Sequence, residues 1–122
     1  MAALLLLVAC ADETISGYVD RAATYTLVEL NGEPFTANAT ITFSEEGQAK
    51  GEAPCNAWSA AQTAPYPWID LGPIAATKRA CLDLAAEQAF FDALTQASLA
   101  EVSGNVLILS LEDGQEMVFR AD

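Results

Sequence analysis

Val106-Leu107-Ile108-Leu109-Ser110-Leu111 and Glu116-Met117-Val118-Phe119-Arg120 flank the dipeptide Asp113-Gly114, and this arrangement leaves the C-terminal part of the chain few options. Aliphatic and β-branched side chains fit a pleated strand. Asp-Gly supplies the backbone geometry of a tight hairpin. The same punctuation recurs upstream. Tyr25 to Leu30 ends in Asn31-Gly32, and Leu99 to Ser103 ends in Gly104-Asn105. Thr40 to Ser44 alternates, with Ile41 and Phe43 on one face, and Glu45-Glu46-Gly47 turns it towards Gln48 to Gly51. Trp68 to Leu71 reads as a short strand stopped by Gly72-Pro73. Cys55 to Gln62 is ambiguous, because its alanines favour a helix and the flanking Pro54, Pro65 and Pro67 forbid a long one.

A single helix interrupts this pattern. Asp83 is placed as N-cap for a segment over about 84–97, with Leu84, Glu87, Phe91, Leu94 and Ala97 at near-helical spacing and Phe90 widening the apolar stripe. Asp83 and Glu87 would also face the favourable end of the helix dipole. A chain of 122 residues supports one domain with one modest core. The expected architecture is α+β: a single compact domain in which a curled, mostly antiparallel sheet of six to eight short strands is covered by that helix.

Charge and composition exclude several functions. With 17 acidic and 5 basic side chains the formal charge is −12, and there is no histidine. Nucleic acid is therefore not expected as a partner, since its binding depends on cationic side chains that neutralise phosphates. Ser-His-Asp and Cys-His catalysis and the usual zinc sites are absent for want of an imidazole. A calcium loop of the type D-x-[DN]-x-[DN]-G is missing, and Glu45-Glu46 and Glu112-Asp113 fall in expected turns. The sequence thus implies no metal, no cofactor and no catalytic residues, and a monomer is expected.

The first residues differ from the rest. Met1 to Cys10 (MAALLLLVAC) carries no charged or polar side chain, and it is too short to span a hydrocarbon core of about 30 Å. Leu7-Val8-Ala9-Cys10 resembles a bacterial lipobox, whose cysteine is acylated and becomes the first residue after cleavage. The resemblance implies a signal peptide over 1–9, an acylated Cys10 followed by a polar tether over 10–22, and a globular domain over 23–122. It also implies a membrane anchor facing the periplasm, with the outer membrane weakly favoured because Ala11 rather than Asp follows Cys10.

Tyr25-Thr26-Leu27, Ile41-Thr42-Phe43, Gly51, Cys55-Asn56, Thr77 with Ala80-Cys81, Phe91, Leu94, Leu107 to Leu109 and Val118-Phe119 follow one another in an order and spacing that resemble the META domain family of small, HslJ-like bacterial envelope proteins. Asn56, Thr77 and Ala80 match the most specific pieces of that pattern. Pro54 stands where the family usually has glycine, Arg79 where it often has methionine, and Tyr25 where a tryptophan is common. The resemblance implies a β-rich, often lipid-anchored domain without enzymatic activity, accessory or stress-related, acting through an unknown envelope partner. An acidic inhibitor of a basic envelope enzyme such as lysozyme is the alternative.

With Cys10 assigned to the lipid, Cys55 and Cys81 are left as a pair in an oxidising compartment. A disulfide there would restrict the unfolded chain by roughly 3.5 kcal/mol on the loop-entropy model. Two buried reduced thiols are the alternative. Lys78-Arg79 is expected to pair with Asp83 or Glu87, with anion recognition as the second reading. Tyr66 and Trp68 lie in the proline-stiffened stretch Pro65-Tyr66-Pro67-Trp68, expected to cap the open end of the curled sheet or to form a contact surface.

Overall fold

A computed structural model describes residues 11–122. Cys10 and the expected leader lie outside the described residues. In chain order the strands are β1 (Tyr25–Leu30), β2 (Glu33–Pro34), β3 (Thr40–Ile41), β4 (Gln48–Glu52), β5 (Ala57–Ala61) and β6 (Ala75–Ala76), then the helix α1 (Leu84–Gln96), then β7 (Ala97–Ser103), β8 (Val106–Leu111) and β9 (Glu116–Ala121). The α+β domain expected from the sequence is present.

The turn chemistry forms the hairpins where it was read. Asn31 and Gly32 both take positive φ, 56° and 80°, so that β2 folds back on β1. Gly104-Asn105 joins β7 to β8, and Asp113-Gly114 lies in the connection from β8 to β9. One sheet runs β2-β1-β9-β8-β7, with β3 also paired to β1. A second runs β4-β5-β6. The ambiguous segment after Cys55 is a strand, because Trp58 and Ala60 alternate inward on a period of two.

The two sheets are joined at both ends by single bridges. Thr42 pairs with Lys50, linking the end of β3 to β4. On the other side Gln62 pairs with Leu71 and Trp68 pairs with Leu99 on β7. Backbone pairing therefore runs around a closed ring: β1, β9, β8, β7, residues 67–71, β5, β4, β3 and back to β1. Trp68 to Leu71, expected as a strand, contributes only these isolated bridges, since the prolines at 65, 67 and 73 withhold the donors a longer ladder needs. Its Pro67 carbonyl and Ile69 N–H nevertheless cover the β7 edge, through bonds to Ala100 and Ser98 of 2.7 and 3.1 Å.

The ring encloses Tyr25, Leu27, Ile41, Phe43, Leu107, Leu109, Met117 and Phe119, all essentially without solvent exposure. Helix α1 adds Phe90, Ala93 and Leu94. Phe90 meets Trp58 edge-on with ring centres 5.9 Å apart, and Phe35 lies 6.4 Å away on its other side. The buried stripe is thus Glu87, Phe90, Ala93 and Leu94. Leu84, read as part of it, is about half exposed, and Asp83 occupies the N-cap position without a side-chain capping bond.

The segment expected to be a polar tether instead packs on the domain. Thr14, Ile15 and Ser16 are buried, and Ile15–Gly17 forms a turn of 3₁₀ helix. Thr14 bridges to Pro65, and the Tyr66 N–H donates to the Glu13 carbonyl at 2.7 Å. The polar composition of this stretch hid the apolar side chains that bring it in, chiefly Ile15, with Val19 partly buried beside the core.

Gly51 marks the tightest backbone crossing. A Cβ there would run into the carbonyl oxygen of Thr40, which also accepts the Trp58 indole N–H at 3.2 Å. The Glu52 N–H donates to the Thr40 hydroxyl at 2.9 Å, so neither strand can move away freely. Gly51→Ala is expected to destabilise the domain by about 1–3 kcal/mol, read as a lowered urea midpoint at unchanged slope.

Candidate functional site

Cys55, Asn56, Thr77, Arg79 and Cys81 come together where the loops on either side of β5 and β6 meet the first turns of α1. The disulfide forms between Cys55 and Cys81, with Cα atoms 5.6 Å apart. Asn56 beside it is buried, and all of its side-chain bonding capacity is engaged. Its Nδ2 donates to the Arg79 carbonyl at 2.9 Å and to Glu87 Oε2 at 2.8 Å. Its Oδ1 accepts from the Arg79 N–H at 2.6 Å and from the Thr77 hydroxyl at 2.9 Å. No other side chain offers two donors and two acceptors in that volume.

Glu87 completes the cluster. It is 4% exposed, and Oε1 accepts the Cys55 N–H at 3.0 Å while Oε2 takes Asn56. An acid on the inward face of a helix demands partners of this kind, because an unpaired carboxyl group there is costly. Thr77 works in both directions: its hydroxyl donates to Asn56 and accepts from the Ala57 N–H at 3.2 Å, and its own N–H donates to the Ala57 carbonyl. The cluster fastens β5, the segment before α1 and α1 itself to one another.

Asn56 and Thr77 therefore occupy the centre that the sequence pattern indicated. Ala80 is exposed and adds no side-chain bond. Glu87 was the residue whose role the pattern did not disclose. Its position on the apolar stripe, three residues before Phe90, was the available signal, and it was read as a dipole effect.

The expected pairing of Lys78-Arg79 with Asp83 or Glu87 does not form. Glu87 faces inward, Arg79 contributes through its backbone, and both basic side chains are exposed. Among the described residues the ion pair that does form is Arg21 with Asp12, at 2.6 Å. Asp12 organises the packed N-terminal segment: it accepts from the Thr14 N–H at 2.9 Å, from the Thr14 and Ser16 hydroxyls and from Arg21. Desolvation alone would raise its pKa. The hydrogen bonds from Ser16 and Thr14, with the Arg21 charge, outweigh it and hold the carboxyl below its ordinary value of 3.8.

The aromatic loop splits its two expected roles. Tyr66 covers the β7 edge, accepting the Val102 N–H on its phenol oxygen at 3.1 Å, and stacks on Tyr18 with ring centres 4.3 Å apart. Trp68, opposite Leu99, is 56% exposed.

A family model for the META domain matches residues 20–122. The chain belongs to the META domain family. Solved structures of the same fold include one from Burkholderia xenovorans determined by NMR, 19% identical with a TM-score of 0.68, where the match covers 88% of this chain and 86% of that one. A crystal structure of a DUF4847 family protein from Bacteroides vulgatus is 16% identical at the same TM-score, covering 85% and 94%. A further NMR structure is 19% identical with a TM-score of 0.65, covering 82% and 89%. No curated protein matches the chain. Within this META domain, Asn56, Thr77 and Glu87 form the polar centre.

Glu87→Ala would strand the Cys55 N–H and the Asn56 amide in a buried site, and is expected to destabilise by about 2–4 kcal/mol in urea unfolding. Glu87→Gln keeps the shape yet sets an NH₂ against one of two donors, so an intermediate loss is expected. For Asp12 the depressed pKa means that its contribution is complete above the ordinary carboxylate value and lost as pH falls through the folded one. The turn over residues 12–17 that Asp12 braces should therefore loosen below about pH 4. Amide exchange at Gly17, whose N–H bonds to the Thr14 carbonyl, reads this out, and Asp12→Asn should abolish the pH dependence.

Proposed function

We propose that this META domain is a lipid-anchored accessory protein of the bacterial envelope, HslJ-like, which acts by binding an envelope partner and not by catalysis. The observation that carries this reading is the Cys55–Cys81 disulfide. Such bonds persist where thiols are not kept reduced, which supports an exported domain. The leucine-rich run closing in Leu7-Val8-Ala9-Cys10 supports acylation at Cys10. Several acyl chains would hold the protein firmly, each buried CH₂ contributing about 0.8 kcal/mol.

The polar centre supports a non-catalytic role. Asn56 spends its donors and acceptors on Arg79, Thr77 and Glu87, and Glu87 is held by Asn56 and the Cys55 N–H. A general acid or base must instead keep an oxygen or nitrogen within reach of a substrate. This cluster is built to fasten loops.

Cys10→Ser, expressed with its leader in a bacterial host, should move the protein from the membrane fraction to the soluble fraction. Equal membrane partitioning of both forms would count against the anchor.

A further inference from the structure

We infer that Tyr18, Trp68 and Leu99 form a face that rests in the headgroup region of the bilayer carrying the anchor; the inference builds on acylation of Cys10. Tyr18 is 55%, Trp68 56% and Leu99 39% exposed; among the described residues they are three of five exposed large apolar side chains, the other two, Leu82 and Leu84, lying at the start of α1. All three are attached to one loop, residues 65–68, and to the β7 edge that it covers. Trp68 stands opposite Leu99 in a backbone bridge, and Tyr18 stacks on Tyr66, two residues before Trp68.

This face is held rigidly, and it is held next to the anchor. The Val102 N–H fixes the Tyr66 phenol, and Tyr66 in turn supports the Tyr18 ring. The Tyr66 N–H bonds to the Glu13 carbonyl, and Glu13 is three residues beyond Cys10. An extended chain advances at most about 3.6 Å per residue, so Cys10 stays within about 11 Å of Glu13. A flexible tether would let the domain turn any side to the membrane. Here the Thr14–Pro65 bridge, the Tyr66 N–H on Glu13 and buried Ile15 hold the segment to the domain, so the chain that leads to the anchor starts beside the aromatic face.

The chemistry of the face fits a lipid interface. Tyr and Trp combine an apolar ring with a polar atom and concentrate at the headgroup level of membranes. Exposed acids flank it in sequence: Glu13, Asp20, Asp70 and Glu101. They would be repelled by anionic lipid, so the occupant is a zwitterionic surface met through the rings.

The test uses the lipidated full chain, purified from membranes and reconstituted into phosphatidylcholine vesicles brominated on the acyl chain near the headgroup. One of the two tryptophans, Trp58, is buried and serves as the internal reference. The Trp68 share of the emission should be quenched by the bromolipid and shielded from aqueous acrylamide, and Trp68→Phe should remove the quenchable share while Trp58 emission stays. Soluble Cys10→Ser protein gives the unshielded reference. Anchored protein whose Trp68 stays as open to acrylamide as in that reference would overturn the docked face while leaving the anchor intact. Protection from acrylamide without bromine quenching would overturn it in favour of a second copy covering the face. If the wild-type chain fails to enter the vesicles, the anchor itself is wrong and the docked face falls with it.

Discussion

The hydrogen bonding of one buried amide, Asn56, holds this domain together at the point where its layers meet. The loop before β5 and the segment leading into α1 are far apart in sequence, and each presents backbone groups at this junction that need partners. Asn56 supplies partners to the Arg79 N–H and carbonyl, and Glu87, reaching in from the helix, to the Cys55 N–H and to Asn56 itself. In a low-dielectric interior such a cluster strengthens when complete and becomes a liability when one member is lost. The Cys55–Cys81 bond adjoins the cluster on the solvent side. It restrains the same two loops by a different means, chiefly through the unfolded chain. Polar satisfaction sets the geometry of the loops; the covalent link limits how far they part.

The β-strands solve a second problem by closing a ring. A sheet with free edges presents unpaired N–H and C=O groups that invite association. Here the weak link of the ring is residues 67–71, a stretch whose prolines permit single bridges only. The N-terminal segment reinforces that link from outside, through Thr14 on Pro65 and the Tyr66 N–H on Glu13. Residues before the META match at 20 thus complete the domain physically, although they stand outside the family pattern.

How much of this was legible in the sequence follows from the range of each interaction. The hairpins were legible because Asn31-Gly32, Gly104-Asn105 and Asp113-Gly114 encode their turns within two residues, and the runs beside them alternate. The helix was legible in extent and in part of its buried face. Glu87, Phe90 and Leu94 face inward as their spacing indicated, whereas Leu84, counted inward on spacing alone, is half exposed, Phe91 is only partly buried, and Ala93 is buried in addition. The final choice of face depends on Asn56 and Trp58, which lie about thirty residues upstream and which no local pattern can weigh. Asn56 and Thr77 were found through their resemblance to a family pattern, and their physical role needed the fold. Ile15 went unnoticed because one apolar side chain among Asp12, Glu13, Thr14 and Ser16 reads as tether until a surface exists for it to pack on.

The net charge of −12 then takes on a directional meaning. On a soluble body free to tumble, it would do no more than oppose association with other anions. On a body anchored through Cys10, as proposed, with its aromatic face near the start of the chain, the same charge would act on orientation. The exposed acids that flank that face in sequence would resist burial among the headgroups, because their desolvation is costly, and the rings of Tyr18 and Trp68 would favour it. On the proposed reading, that balance would let the apolar side chains reach the interface without the domain sinking further. Apolar burial at that face scales with its small area, whereas the cost of the acids arises only where they would lose their water. Seating on zwitterionic lipid would therefore depend little on salt, unlike that of a basic peripheral protein on anionic lipid.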